Sequence, residues 1–326
     1  MVFLVQEVCV TKLVTVFGGT GFIGRYVVQM LAARGWRVRA AVRNPNLALF
    51  LKPLGTLGQV QLVQANVRFP QSVAAAVAGA DAVVNLVGIL GESGKQRFDT
   101  VQRDGAAAIA RAAATAGVSQ MVQLSAIGAN AESWIAYQRT KGEAEQLVRQ
   151  VIPGAVILRP SIVFGPEDQF FNRFGSIASL PTLMMPILPV ICGDTKFQPV
   201  YVKDVAAAVV EALANPVHAG QTYELGGPAR YSFRDLLDYI KAQTRSRKPL
   251  LEIPLGIAKI QAAVLGLLPN APLTSDQLAM LQSDNVVTGT DGLDAMGLTP
   301  TPMEAVVPAM LARYRPRGQF APKRAS

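Results

Sequence analysis

The sequence predicts an α/β fold: a Rossmann-type doubly wound parallel sheet with a smaller, discontinuous C-terminal lobe. Three observations predict it. Residues 18–24 read Gly-Gly-Thr-Gly-Phe-Ile-Gly, directly after the apolar run Leu13-Val14-Thr15-Val16-Phe17. Short apolar runs then alternate with alanine-rich helical stretches as far as Arg159-Pro160. Beyond that dipeptide, proline and glycine become frequent and the alternation stops. The first 160 residues therefore follow the strand–helix order of a sheet covered on both faces.

The elements follow in order. A β-branched strand, Leu13 to Phe17, runs into the glycine turn, and a helix from Arg25 to Arg34 begins inside it. Arg37 to Val42 is the second strand, Val60 to Val63 the third and Ala82 to Val87 the fourth. A helix from Phe98 to Ala116 stops at Gly117, a helix C-terminal signal. Met121 to Leu124 is the fifth strand; a helix from Ile135 to Val151 leads to a strand from Ala155 to Leu158. Pro199 to Val205 reads as strand into helix, returning to the core. Ser232 caps a helix from Phe233 to Ala242, and Gly256 to Leu268 is an apolar helix. The expected organisation is a dinucleotide-binding domain over 12–165 and 199–225, and a second lobe over 166–198 and 226–310. An extension (1–11) and a basic tail (311–326) flank them.

Composition excludes several classes of function. The chain has 326 residues, half of them hydrophobic and 16% charged, enough for a substantial core. No apolar run reaches the roughly 18–20 residues of a membrane span. Met1 to Val8 lacks the basic region and cleavage site of a signal peptide and the arginines of a mitochondrial presequence. Two cysteines, Cys9 and Cys192, offer neither a disulfide framework nor metal spacing. The one histidine, His218, follows Asn215-Pro216 in a turn and is expected at the surface. No metal is expected. The net charge of +9 points to an acidic partner. Nucleic acid is not expected, since the basic residues are dispersed and no nucleic-acid motif is present. The tail from Arg313 to Arg324 is the exception: basic, acid-free, and a candidate docking arm for anionic lipid or acidic protein.

Chemistry is concentrated at the ends of the early strands. The glycine turn lets backbone approach a pyrophosphate, and the helix N-terminus faces it with unpaired N–H groups. Gly18, Gly21 and Gly24 are three apart, a spacing that resembles the short-chain dehydrogenase/reductase superfamily. The candidate cofactor residues there are Gly18, Thr20, Gly21, Phe22, Ile23, Gly24 and Arg25. Later strand ends add Asn66 and Val67, then Leu86, Val87 and Gly88, and finally Pro160. Arg43 follows the second strand, where an acid would bind the ribose hydroxyls of NAD and an arginine pairs with a 2′-phosphate; this favours NADPH. Tyr137 and Lys141 stand i, i+4 on one helix face, and Ser125 ends the fifth strand. In an active reductase of that superfamily the lysine lowers the tyrosine pKa and the tyrosine moves a proton. Two departures weaken this relay here. Ala126 stands where a catalytic hydroxyl often follows the strand-end serine, and Gln102 stands where a supporting asparagine is usual.

The stretch Leu158-Arg159-Pro160-Ser161-Ile162-Val163-Phe164-Gly165-Pro166-Glu167-Asp168-Gln169-Phe170-Phe171-Asn172-Arg173-Phe174 resembles the nucleotide-binding accessory subunits of respiratory complex I, called the 39-kilodalton subunit in mitochondria. Ser125 to Ala129, Phe197 to Val202, Tyr223 to Pro228 and Pro272 to Gln277 share the resemblance, which spans about 12–300. It implies a tightly held NADPH without established turnover, complex I subunits as partners, and a place on the peripheral arm near the membrane. With an alanine-rich chain lacking a presequence, it implies a bacterial, alphaproteobacterial protein on the cytoplasmic side of the inner membrane. Lacking a cysteine set for an iron–sulfur cluster, the chain is not expected to carry electrons to quinone. The run Leu180 to Pro189 admits two readings, a partner-docking loop or a segment packed inside the second lobe. Two other functions stay open: a free NADPH-dependent reductase or epimerase acting on a small carbonyl or sugar-nucleotide, and a sensor of the NADPH/NADP ratio.

Overall fold

The computed structural model describes residues 11–181, 183–259 and 275–316. Seven parallel strands form the main sheet in the order β11-β6-β5-β4-β1-β2-β3. They are β1 (Leu13–Phe17), β2 (Arg37–Val42), β3 (Val60–Gln64), β4 (Ala82–Asn85), β5 (Gln120–Leu124), β6 (Val156–Pro160) and β11 (Thr222–Leu225). The order reverses between β1 and β4, whose pairing runs from Val14↔Ala82 to Phe17↔Asn85. That switch point opens a crevice at the strands' carboxyl ends, where such sheets bind ligands.

The strands are apolar because both faces are covered. One face buries Val14, Val16, Val38, Ala40 and Val84 with α1 (Phe22–Ala33) and α6 (Val202–Ala214). The other buries Phe17, Val83, Met121 and Ile157 with α2 (Pro70–Val77), α3 (Asp104–Thr115) and α4 (Ala136–Val151). Each fully buried Leu, Val or Phe contributes roughly 1.5–3 kcal/mol. A separate core packs Phe164, Phe171, Phe197, Phe233, Leu236, Met303 and Leu311. It joins α5 (Phe170–Ser179) and α7 (Phe233–Thr244) to the helix Met303–Leu311. Three two-stranded ribbons serve this region: β7 (Val163–Phe164) with β10 (Val200–Tyr201), β9 (Lys196–Phe197) with β12 (Tyr231–Ser232), and β8 (Leu188–Val190) with β13 (Leu250–Glu252).

Several boundaries differ from the sequence reading. Helix α1 begins at Phe22, three residues before the expected start, because the glycine turn is already its first turn. Strand β4 ends at Asn85, whose Oδ1 accepts the Val87 N–H at 3.1 Å and turns the chain. The expected helix from Phe98 to Ala116 is a π turn over Asp99–Arg103 followed by α3. Ser232 does cap α7, in a reciprocal capping box with Asp235. Of the expected apolar helix from Gly256 to Leu268, residues 256–259 are helical and the rest lies outside the described residues.

His218 is not at the surface. Only 4% of it is exposed, and its Nδ1 lies 2.8 Å from the Tyr223 hydroxyl. Asn215 caps the short turn Pro216–His218, and the turn delivers the imidazole under the edge strand β11. The run from Leu180 to Pro189 divides between its two readings. Leu183 and Met184 are exposed, whereas Leu188 enters β8 and is buried. The basic tail begins pinned: Arg315 Nε donates to the Gln243 carbonyl at 2.8 Å, and Arg313 donates to the Asn172 side chain. Residues 317–326 lie outside the described set, as does Cys9. No helix among the described residues is long and apolar enough to cross a membrane.

Candidate nucleotide-binding site

The site is assembled at the crevice, beginning with the glycine turn. Gly18 has φ +82°, a conformation open to glycine, and a Cβ there would lie 3.0 Å from the Leu86 carbonyl carbon. A Cβ at Gly24 would fall 2.1 Å from the Gly18 carbonyl oxygen. Glycine is therefore required where the helix meets the turn, and the turn is tight: the Gly21 N–H donates to Gly18 O at 2.9 Å. Gly21 caps α1 without a side-chain hydrogen bond, and the first turn carries no acid. These are the features that leave a helix N-terminus ready for a pyrophosphate. Phe22, Ile23 and Thr20 are half-buried around it.

Neighbouring strand ends close the crevice. The Leu86 N–H donates to Phe17 O at 3.0 Å, tying the β4 end to β1. Asn85 Nδ2 donates to Gln123 Oε1 at 2.8 Å, tying it to β5. Asn66 and Val67 follow β3; Asn66 Oδ1 accepts the Arg68 N–H at 3.1 Å, and Val67 packs against Gly105 of α3. Ser125 N–H donates to Leu158 O at 2.7 Å, and Ile127 N–H to Pro160 O at 3.1 Å, which ties the β5 end to β6.

Arg43 lies exposed beyond β2, with Nη1 3.2 Å from Gln96 Oε1. Arg25 is engaged elsewhere: its Nη1 pairs with Glu167 Oε1 at 3.3 Å, and its guanidinium lies 5.3 Å from the Phe50 ring centroid. Tyr26 donates to the same carboxylate at 2.8 Å. Glu167 thus fastens the loop after β7 to the start of α1. Asp168 braces that loop from inside by accepting the Gly165 and Asn172 N–H groups, at 3.2 and 3.1 Å. Burial pushes the Asp168 carboxyl up to about 6 against those hydrogen bonds.

At the other end of the crevice, the structure brings Lys141, Gly88 and Gln102 together beside the strand end that carries Ser125, with Tyr137 one turn before Lys141 on α4. The Lys141 side chain is 5% exposed, and its Nζ donates to Leu124 O at 3.3 Å. A Cβ at Gly88 would lie 3.3 Å from that Nζ and 3.6 Å from Gln102 Oε1. Burial pulls the Lys141 ammonium down to about 8, partly offset by Glu145. Burial pushes the Tyr137 phenol up to about 12; its ring stacks edge-on with Phe98 at 5.8 Å. The π turn carries Gln102 inward, where Nε2 lies 3.4 Å from Thr140 Oγ1. Ser125 Oγ and Gln102 Oε1 are buried without a hydrogen-bond partner. A nicotinamide ribose offers hydroxyls suited to both, so the donor set fits a dinucleotide at this end as well as at the pyrophosphate end.

Two contacts here have no role assigned by the sequence pattern. The Asp276 carboxylate faces the backbone N–H of Tyr137, so the short helix Ser275–Met280 lies near the start of α4. Gln277 Nε2 reaches the Leu90 carbonyl at 3.5 Å. Both residues, like Glu167, belong to stretches that carry the family resemblance, and that is their only signal. No group of three or more His, Cys, Asp or Glu among the described residues could hold a metal ion.

Comparison with known proteins agrees with this geometry. Residues 18–169 match the NAD(P)H-binding family. The chain is 34% identical over 304 residues to the mouse mitochondrial NADH dehydrogenase (ubiquinone) 1 alpha subcomplex subunit 9, covering 92% of this chain and 80% of that one. To the Arabidopsis thaliana subunit it is 35% identical over 319 residues, covering 93% and 78%. A ceramide reductase of Caulobacter vibrioides is 31% identical over 204 residues, covering 63% and 62%. Among solved structures, an NADPH-dependent quinone oxidoreductase of Escherichia coli in complex with NADPH superposes with a TM-score of 0.72 at 20% identity, covering 91% of this chain and 99% of that one. With a seven-stranded parallel sheet, an NAD(P)H-binding domain and near end-to-end similarity to those mitochondrial subunits, the chain belongs to the family of complex I 39-kilodalton subunits.

Proposed function

We propose that this chain is a non-catalytic, NADPH-binding accessory subunit that supports assembly and stability of an NADH:quinone oxidoreductase at its peripheral arm. The observation that carries the reading is the similarity to complex I subunits over 92% of the chain. The site supports it. The pyrophosphate end is closed by backbone hydrogen bonds and glycines, whereas at the reaction end burial pulls the lysine down to about 8, still charged at neutral pH, and pushes the tyrosine up to about 12. A relay needs a tyrosine whose pKa the charged lysine lowers, and burial moves this tyrosine the other way.

In this reading the nucleotide is a structural ligand. Binding only the folded chain, it shifts the folding equilibrium toward that state, by about 4 kcal/mol at a thousandfold excess over Kd. When bound, NADPH supplies a hydride donor that the subunit does not spend. Arg43, exposed beyond β2, is the residue assigned to the 2′-phosphate, and it sets NADPH over NADH. Tyr137, Lys141 and Ser125 then act as ribose ligands. The working division is a nucleotide domain over 12–165 and 199–225 and a partner lobe over 166–198 and 226–310. The setting is the cytoplasmic face of a bacterial inner membrane, with the chain held peripherally by complex I subunits and the basic tail meeting anionic lipid.

The test is to solubilise membranes gently, resolve native complexes and locate the chain by mass spectrometry. Co-migration with NADH:quinone oxidoreductase at constant stoichiometry, with NADPH retained, is expected. A free monomer or dimer absent from that complex would overturn the reading. A second reading, an NADPH-dependent reductase, is favoured by the unpartnered Ser125 hydroxyl at the end of β5 and by Lys141, whose Nζ reaches the Leu124 carbonyl next to it. In it Tyr137 delivers the proton to a substrate oxygen and Ser125 orients that oxygen. Turnover on a carbonyl panel, abolished by Tyr137→Phe, would establish it; a flat response removes it.

A further inference from the structure

Between Glu7 and Asp81 the chain carries eight lysines and arginines and no carboxylate. The fold gathers this stretch on one side, since β1, β2 and β3 are consecutive at one end of the sheet and β3 is its edge. Among the described residues, Arg25 alone of the eight forms an ion pair, with Glu167. Arg39 is spent on the carbonyls of Ala76 and Ala78. Lys12, Arg34, Arg37, Arg43 and Lys52 are exposed.

Along the same side runs a 3₁₀ helix, Pro45–Leu54. Three residues per turn align side chains at i and i+3. Ala48 and Leu51 therefore face inward and are fully buried in the main core. Leu47 and Phe50 form one outward ridge, and Leu49 and Lys52 another. Leu47 is 77% exposed, Leu49 54% and Phe50 45%, and Leu57 just beyond protrudes completely. Five of the thirteen exposed large hydrophobic side chains of the described residues lie between Leu47 and Phe69, within the acid-free stretch.

We propose that this side of the sheet seats on an anionic lipid surface. The ridge residues Leu47, Leu49 and Leu57 enter the boundary between headgroups and acyl chains, while Lys52 and the exposed cations other than Arg43 meet lipid phosphates. Charge selects the occupant: the stretch brings eight cations and no carboxylate of its own, Glu167 offsets only Arg25, and such a face attracts an anionic surface and repels cationic ones. Shape selects a bilayer over an acidic protein. The apolar side chains stand out on a ridge beside cations, the arrangement of interfacial segments, whereas protein anchors fill enclosed pockets. The surface draws on residues 12–69 and not on the basic tail, and it does not depend on the complex I reading.

The experiment is co-sedimentation of the purified full-length chain with vesicles of phosphatidylcholine alone or of equal phosphatidylcholine and phosphatidylglycerol. The chain should pellet with the anionic vesicles only, and less as salt is raised. Lys52→Glu should weaken binding by about fivefold or more, since each cation near the surface contributes about a fivefold gain. Leu47→Ser with Leu49→Ser should weaken it by at least as much, with melting temperature and nucleotide content unchanged. Failure of the wild type to bind anionic vesicles would overturn the proposal. So would variants that bind like wild type, a result that places vesicle binding on the tail. If those same variants instead detach the chain from native complexes, the face docks an acidic protein and the lipid assignment fails.

Discussion

The two ends of the crevice are built to different standards. At the pyrophosphate end, the turn is closed by backbone hydrogen bonds and by glycines whose replacement would drive atoms to 2.1 Å. At the reaction end, a serine hydroxyl and a glutamine carbonyl are buried without partners, and the lysine beside them is almost dry. The strict geometry at the pyrophosphate end lies in the backbone, whereas at the reaction end polar side chains wait for a partner.

The comparison can be broken most forcefully at the glycine turn. Gly24→Val should abolish nucleotide retention and cost at least about 3 kcal/mol, because no side chain can move backbone out of the way; nucleotide content after purification and thermal melting check it. Retention of a full complement would mean that the turn does not hold the nucleotide.

Lys141 should show a smaller effect with a distinctive pH signature. Its folded pKa of about 8 lies below its value of 10.5 in the unfolded chain. Between those values the unfolded state binds more protons, so folding stability rises with pH across that window. Lys141→Met should remove this rise, worth roughly 1–3 kcal/mol, in nucleotide-free chain melted between pH 8 and 10.5. An unchanged slope would show that the lysine stays hydrated in the folded chain.

The remaining two changes are smaller. Tyr137→Phe should alter NADPH affinity by no more than about tenfold, the loss of one hydrogen bond, as measured by competitive displacement. A larger loss would make the tyrosine a principal ligand. Ser125→Ala removes an unpaired buried hydroxyl, so nucleotide-free chain should melt at the same temperature or be stabilised by up to about 1 kcal/mol. Destabilisation would mean that the hydroxyl is satisfied by water.

Much of the fold and of the site is legible in the amino-acid sequence. Gly18 to Gly24 set the turn because backbone sterics act within a few residues of chain, and the apolar runs set β1 to β6 because buried parallel strands must be apolar on both sides. Helix α1 reads as starting late, at Arg25, because glycine is a poor helix former and its first turn is invisible to propensity. His218 reads as a surface residue, yet a turn residue's exposure depends on what folds over it, here Tyr223 of β11. The π turn that aims Gln102 inward and the Asp276 contact at Tyr137 join segments far apart in sequence. No local pattern encodes either.

The sequence by itself determined the parallel α/β order, the glycine cradle, and the residue types at Arg43, Ser125, Tyr137 and Lys141, because these depend on local sterics and on periodicity. Only the tertiary structure decided which of those groups lose water and which keep partners. It drew Arg25 to Glu167, dried Lys141, left Ser125 and Gln102 unpaired, and set the strands of an acid-free stretch side by side at one end of the sheet. Desolvation and pairing are properties of how distant segments pack, and packing is settled only when the whole chain has folded.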